Sequence, residues 1–289
     1  MPRAAGDQDP VDQYLFLIKM FIFYIFVFLE HSLSLPKPFK MVNLSNKQKV
    51  IVEQAKVGHN LLILGQAGTG KSHVVKHIVQ TLKNDGKKVA VTGSTGMAAS
   101  HYPNGTTYHR WSGLRDGSFT NHELLSLLRT SDEFRPARDR ILSCDVLIIS
   151  EISMTSKTIL EQLEFICRSL RNNNLVFGGI QVIGEGDFLQ LPPVPSGIWD
   201  HGEYCFQSEI FSSIFPHIVK LDEVFRQDQL NLINAVRELS LGEPSQDTEN
   251  LLKSLSRPLV PSKEPIVRLC SLNYDVNMYN RNIVGNKTK

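Results

Sequence analysis

Residues Gly65 to Ser72 read Gly-Gln-Ala-Gly-Thr-Gly-Lys-Ser and fit the pattern GxxxxGK[ST] without a mismatch. The context is also the required one. Leu61 to Leu64 is a short apolar run that ends at glycine, as a buried strand does, and Lys71 to Lys83 has helical spacing. A glycine-rich turn between a buried strand and a helix leaves its backbone N–H groups pointing inward at the helix N-terminus, where the dipole favours anions. The Lys71 ammonium would reach the β- and γ-phosphates of a nucleotide such as ATP, and the Ser72 hydroxyl would ligate Mg²⁺. The cradle itself is Gly65, Gln66, Ala67, Gly68, Thr69 and Gly70.

Such a loop demands a parallel sheet with helices on both faces, and the chain supplies the pattern. Ser45 to Lys56 reads as a helix, with Ser45 as N-cap and Gln48 at the capping-box spacing. Val89 to Thr92, Asp145 to Ile149 and Ile180 to Ile183 read as strands. Asn121 to Arg129 and Lys157 to Arg171 read as helices. Alternating strands and helices predict an α/β domain around a central parallel sheet. Pro192, Pro193, Pro195 and Gly197 mark an irregular connection. A helix at Gln229 to Leu241, a strand at Ile266 to Cys270 and a last helix are expected beyond it. The 289 residues are 42% hydrophobic and 21% charged, which excludes a disordered tail, a collagen-like repeat and a disulfide-stapled mini-protein. Lys+Arg 31 against Asp+Glu 29 leaves a net charge of +2, which carries no information about nucleic acid. Cys144, Cys167, Cys205 and Cys270 lie far apart without metal-ligand spacing, so reduced thiols are expected.

The first 40 residues stand apart. Tyr14 to Leu29 is apolar except for Lys19, shorter than the roughly 20 residues that span a bilayer. Asp7, Asp9 and Asp12 before it suit neither a signal peptide nor a transit peptide. A membrane anchor, a buried helix and an extension foreign to the domain are the three readings. Pro36 and Pro38 at the join and Met41 after it favour the third. The expected division is an extension over 1–40, a P-loop domain over 41–221 and the start of a second domain over 222–289.

A metal-bound nucleotide also needs a carboxylate at the end of a neighbouring strand. The Asp145 to Ile149 strand ends in Ser150-Glu151, which places Glu151 as the catalytic base. An ordinary helix-entry acid is the plainer alternative. Ser150 cannot supply the charge of a metal-holding aspartate.

With these motifs assembled, Leu44 to Asn282 resembles the Pif-type DNA helicases, relatives of RecD that move 5′ to 3′ on single strands. The resemblance is carried in order by LSNKQ (Leu44 to Gln48), GQAGTGKS, TGSTGMAA (Thr92 to Ala99), GTTYH (Gly105 to His109), SEISM (Ser150 to Met154), GGIQVIGEGDFLQLPPV (Gly178 to Val194) and LDEVFRQ (Leu221 to Gln227). It implies a RecA-like P-loop domain followed by part of a second RecA-like domain. It implies ATP and Mg²⁺ as cofactors, single-stranded and forked DNA as partners, and a monomer. The implied roles lie in DNA repair, recombination and telomere maintenance, in the nucleus or the mitochondrion.

Residue by residue, the resemblance has Gln48 contact adenine, although the capping box explains it equally well. Asp187 and Gln190 would sense the γ-phosphate and link it to the DNA track, and Arg226 would point a guanidinium at that phosphate. A turn acid is the alternative for Asp187, and an ion pair with Asp222 or Glu223 for Arg226. DNA would be held by Thr95, Gly96, Thr107 and His109, with His109 or Trp111 stacked on a base. Core packing is the alternative for Trp111, and a satisfied polar core residue for His109.

Three departures follow from the resemblance. Family members carry Asp-Glu where this chain has Ser150-Glu151. Losing that charge would cost about 1.5–3 kcal/mol, or roughly 10- to 150-fold in rate if it falls on the transition state, so Ser150→Asp is expected to raise turnover. Glu185 stands where the family has an apolar or small residue. The family's second domain also continues past a segment like Arg268 to Asn280, whereas this sequence stops at Lys289. On that reading the later motifs are missing.

Overall fold

The structure, a computed structural model, describes residues 44–196, 198–225, 229–255, 270 and 273–287. The hydrophobic Tyr14 to Leu29 segment and Arg226 lie outside the described residues, as does the expected strand at Ile266 to Cys270 apart from Cys270. Among the described residues no helix is long and apolar enough to cross a membrane.

Residues 44–188 and 192–225 form one compact unit. Its centre is a six-stranded parallel sheet of β1 (Leu61–Gly65), β2 (Val89–Gly93), β3 (Thr106–Thr107), β4 (Val146–Ser150), β5 (Gln181–Gly186) and β6 (His217–Leu221). The order is β3-β2-β4-β5-β1-β6. Strands with alternating side-chain directions and both faces covered should be apolar throughout. The central ones are: Leu61, Leu62, Ile63 and Val146 to Ile149 are all buried.

One face packs on α1 (Asn46–Lys56) and α2 (Lys71–Asn84). There Ile51, Val74, Val75 and Ile78 meet Leu61, Ile63, Ile148 and Ile183. Each such side chain contributes about 1.5–3 kcal/mol of apolar burial, far more than helix propensity decides. The other face packs on α5 (Asn121–Thr130), α6 (Arg135–Ser143) and α7 (Lys157–Arg171). Leu128, Ile141, Leu163 and Ile166 close over Leu62, Leu147 and Val182 there. Two short helices, α3 (Gly96–Ser100) and α4 (Tyr108–Ser112), lie between β2 and α5, and α8 (Phe211–Ile214) precedes β6.

The capping box of α1 forms as its spacing predicts: the Ser45 hydroxyl accepts from the Gln48 N–H and the Gln48 carboxamide accepts from the Ser45 N–H at 3.0 Å. Strand β5 runs further than expected, through Gly184-Glu185-Gly186. A methyl group at Gly184 would come within 2.8 Å of Ile152 Cδ1, and one at Gly186 within 3.1 Å of the Ile152 nitrogen. The two glycines let the turn after β4 sit against β5. Glu185, between them, faces the opposite side, toward the α1–α2 layer.

Residues 189–191 and the helices α9 (Leu230–Leu241), α10 (Gln246–Leu255) and α11 (Asn273–Lys287) group as a second unit. Within it Glu238 of α9 accepts from the Thr248 hydroxyl at 2.6 Å and from the Ser245 N–H at 2.8 Å, tying α9 to α10. Among the described residues this unit contains no strand.

Candidate functional site

The loop from Gly65 to Gly70 is wound by its own backbone. Gln66 O accepts from the Thr69 N–H at 3.3 Å and from the Thr69 hydroxyl at 2.8 Å. Gly68 and Gly70 take φ of +85° and +81°, a region that penalises L side chains. Gly65 is needed for space, because a methyl there would lie 2.6 Å from Thr69 Oγ1 and 2.8 Å from Leu221 O. Lys71 opens α2, and its buried ammonium donates to Gly65 O at 2.8 Å and to Gln66 O at 3.2 Å. The cation is thus held inside the loop that would receive the phosphates. Gln48 lies beside Gly70: its Oε1 is used in the α1 cap, while its Nε2 faces the loop. Cap and nucleotide contact are therefore compatible duties of one side chain.

Because β1, β4 and β5 are parallel neighbours, the loops that follow them leave the sheet at one edge. This brings the P-loop, Glu151 and Asp187 to the same edge. Glu151 follows β4 with φ 54° and ψ 50°, a left-handed conformation that is uncommon for glutamate. Such strain, of order 1–3 kcal/mol, concentrates where a side chain must be aimed. Gln190 is buried, within the segment grouped with the second unit.

The Ser150 hydroxyl donates to Glu185 Oε1, and Tyr102 Oη stands 3.4 Å from the same oxygen. Burial, and next the Glu185 carboxylate, raise the Tyr102 phenol well above its usual range, and the Ser150 and Ser72 hydroxyls beside it offset this in part. Tyr102 therefore stays a neutral donor beside the Ser150–Glu185 pair. Among the described residues no cluster of three or more His, Cys, Asp or Glu could hold a metal alone. Mg²⁺ takes one or two carboxylates and completes its shell with water and phosphate. Ser72, Glu151 and the buried, unpartnered Glu185 Oε2 are donors that fit it.

A second set of expected residues gathers around β2. The Thr95 hydroxyl caps α3 by accepting from the Ala98 N–H at 3.1 Å, and Thr107 caps α4 by accepting from the Arg110 N–H at 3.2 Å. Each hydroxyl keeps its own proton to donate to a phosphate oxygen. Gly96 is exposed at the start of α3. Thr95 and His109 line a cavity of about 210 Å³ with Ser94, Asp116, Pro193 and Trp199. Burial lowers the His109 pKa, opposed by Asp116 and Asp200.

Trp111 is the correction. It is 3% exposed and packs in the core beneath β4 rather than on the surface. Its edge borders a different hollow, with Lys83, Val89 and Arg140, at the far end of β2 from Thr95. So buried, the ring takes the core-packing alternative rather than offering a face to a base. Two aromatic residues that sequence reasoning passed over are better placed. Trp199 is 55% exposed beside Thr95 and His109. Phe225 is 53% exposed, and its N–H donates to Gly68 O at 2.8 Å, which sets its ring beside Gly70. Their place in the chain, Phe225 inside LDEVFRQ and Trp199 just after the Pro192 to Gly197 connection, was the available signal. Among the described residues the cysteines are unpaired, and burial raises the Cys144 thiol to about 11, the Cys205 thiol to about 12 and the Cys167 thiol well above its usual range.

The family model for PIF1-like helicases matches residues 43–241. The human ATP-dependent DNA helicase PIF1 is 36% identical over 255 residues, which is 85% of this chain and 38% of that protein. The Emericella nidulans protein of the same name is 37% identical over 215 residues, 73% of this chain and 28% of its own length. Among solved structures, Pif1 helicase from Candida albicans superposes with a TM-score of 0.77 at 35% identity, covering 85% of this chain and 55% of that one. A Bacteroides Pif1 helicase, solved with ADP-AlF3 and single-stranded DNA, gives 0.72 at 28% identity, covering 85% of this chain and 58% of that one. The chain thus spans well under two thirds of the curated relatives it matches. The match covers both the P-loop edge and the Thr95–His109 cavity, and the chain belongs to the PIF1-like helicase family.

Proposed function

We propose that this chain carries the ATP-hydrolysing lobe of a DNA helicase that moves 5′ to 3′ along single-stranded DNA. The observation that carries the reading is the common sheet edge shared by the P-loop, Glu151 and Asp187. Solved relatives lend support: one Bacteroides Pif1 was captured with ADP-AlF3 and single-stranded DNA, and another structure concerns unwinding at forked double-stranded DNA by two coordinating Pif1 helicases.

In this reading Lys71 exchanges the carbonyls of Gly65 and Gln66 for β- and γ-phosphate oxygens, with loop N–H groups completing the cradle. Gln48 Nε2 and Phe225 border the place where adenine rests. Glu151 accepts a proton from the attacking water, which enters in line with the leaving ADP. Mg²⁺, held at Ser72 with carboxylate support, would neutralise charge on the transferring phosphoryl group. Asp187 and Gln190 report the state of the γ-phosphate, and Arg226 supplies a further positive charge. The Thr95 and Thr107 hydroxyls hold DNA phosphates, and His109 and Trp199 offer faces for bases. Repair, recombination and telomere maintenance, in nucleus or mitochondrion and as a monomer, are the family setting we assign.

The test is steady-state ATPase of the chain with and without single-stranded DNA. Stimulation of about ten-fold or more is expected. Tight binding of nucleotide and DNA without turnover would replace this reading with a non-hydrolysing binding module, which the serine at position 150 favours.

A further inference from the structure

We infer that Glu185 supplies the carboxylate of the magnesium site that position 150 lacks. The inference rests on the nucleotide-site reading above and deepens it. In the sheet, Glu185 is the register partner of both Ser150 on β4 and Ile63 on β1, so it sits between the strand that leads to Glu151 and the strand that leads to the P-loop. Parallel partners project to one face, and here that face carries α2 and therefore Ser72.

Glu185 is 1% exposed, and its contacts use only one oxygen. Oε1 accepts from the Ser150 hydroxyl and faces the Tyr102 hydroxyl, while Oε2 is buried with no hydrogen-bond partner. A buried carboxylate with one oxygen unfilled is costly unless a cation or donor completes it. The Tyr102 hydroxyl lies beside both this carboxylate and Ser72, whose hydroxyl would bind the metal. Serine at 150 and glutamate at 185 then form one arrangement: the charge has moved across one strand, and Ser150 holds it. A structural acid would not need the orphan oxygen.

The geometry also changes what restoring aspartate at 150 should do. Ser150→Asp would set two carboxylates on adjacent strands in direct contact, and like charges that close cannot both ionise cheaply. The single substitution gives no gain. Exchanging both positions, Ser150→Asp with Glu185→Val, returns the charge to β4 and relieves the contact.

The test uses the 289-residue chain with N-methylanthraniloyl-ADP titrated in EDTA and in Mg²⁺, and with Mn²⁺ binding to the ADP-bound protein followed by electron paramagnetic resonance. Glu185→Gln should keep the wild-type affinity in EDTA and lose about ten-fold or more of Mn²⁺ affinity. The double exchange should recover it, and Ser150→Asp alone should not exceed wild type. Wild-type Mn²⁺ affinity in a folded Glu185→Gln variant would overturn the assignment and leave the P-loop reading standing. Failure of the wild type to bind the analogue at all would sink both. If Glu185→Gln does not fold, the double exchange decides: a folded exchange variant without Mn²⁺ binding overturns the assignment, and recovered binding supports it.

Discussion

Gln48 stands directly against Gly70: a methyl group at Gly70 would come within 2.6 Å of the Gln48 Nε2. The same glutamine holds the start of α1 through the Ser45 N–H at 3.0 Å. The nucleotide loop and the first helix are thus coupled through one carboxamide. Gly70→Ala should suffer twice. Alanine at φ +81° costs about 1–2 kcal/mol of backbone strain. The methyl then displaces Gln48, which loosens a cap worth about 0.5–2 kcal/mol. A melting temperature lowered by several degrees, together with weaker nucleotide binding, is the expected result. Adding Gln48→Ala should remove the clash but not the strain, so the double variant should be less destabilised than the sum of the singles. Strict additivity in thermal melts would show that the two residues are not coupled.

Lys71 and Glu151 should separate binding from chemistry. Lys71→Ala removes the ammonium held at Gly65 O and Gln66 O, and titration with a fluorescent ATP analogue should show at least a ten-fold loss of affinity in a folded protein. Glu151→Gln keeps shape and removes the base. It should bind the analogue as wild type does while single-strand-stimulated ATPase falls by about 10²- to 10⁴-fold. Wild-type turnover in Glu151→Gln would remove it as the base.

Most of the sheet could be read from the sequence because its strands are short apolar runs with nowhere to go but the interior. The α1 cap and α7 (Lys157–Arg171) were legible for a similar reason: local chemistry, not distant contacts, sets their ends. Strand β6 was not. His217 to Leu221 alternates in exposure at the sheet edge, but an apolar Ile218, 57% exposed, stands on the outer side, so the residue types show no clean apolar–polar period and pairing with β1 makes it a strand. The end of β5 was missed because Gly-Glu-Gly reads as a loop; the glycines are there for contact with Ile152, which no local pattern announces. That is also why the sequence showed a serine at 150 as a loss. The neighbour that accepts its hydrogen bond is 35 residues away.

Trp199 and Trp111 offer a paired test of the DNA surface. Stacking of a base on an aromatic face is worth about 1–3 kcal/mol. Trp199→Ala should therefore weaken single-strand binding by about 5- to 150-fold, measured by fluorescence anisotropy at fixed salt, with little change in melting temperature. Trp111→Phe should do the reverse: DNA affinity within about two-fold of wild type, and a lower melting temperature from lost core packing. If Trp111→Phe weakened DNA binding without destabilising the fold, the assignment of the two tryptophans would have to be exchanged.

Two histidines should make the fold sensitive to mild acid. Burial lowers the pKa of His77, with neighbouring His73 lowering it further, and burial lowers that of His109 against the opposing pull of Asp116 and Asp200. In the unfolded chain both histidines would titrate near 6.5. Between that value and the lower folded one, the unfolded state binds more protons, so stability rises with pH across this window and falls as the medium is acidified through it. The depressed carboxylates Asp116 and Glu123 act in the same direction, but only below the ordinary carboxylate range near 4. The histidine window is therefore separable from theirs. Melting temperatures taken from about pH 8 down to about pH 5 should fall for the wild type, with the decline beginning near 6.5. His77→Gln and His109→Gln should each flatten that limb, and together most of all. An acid limb of undiminished slope in the double variant would assign the sensitivity to other groups.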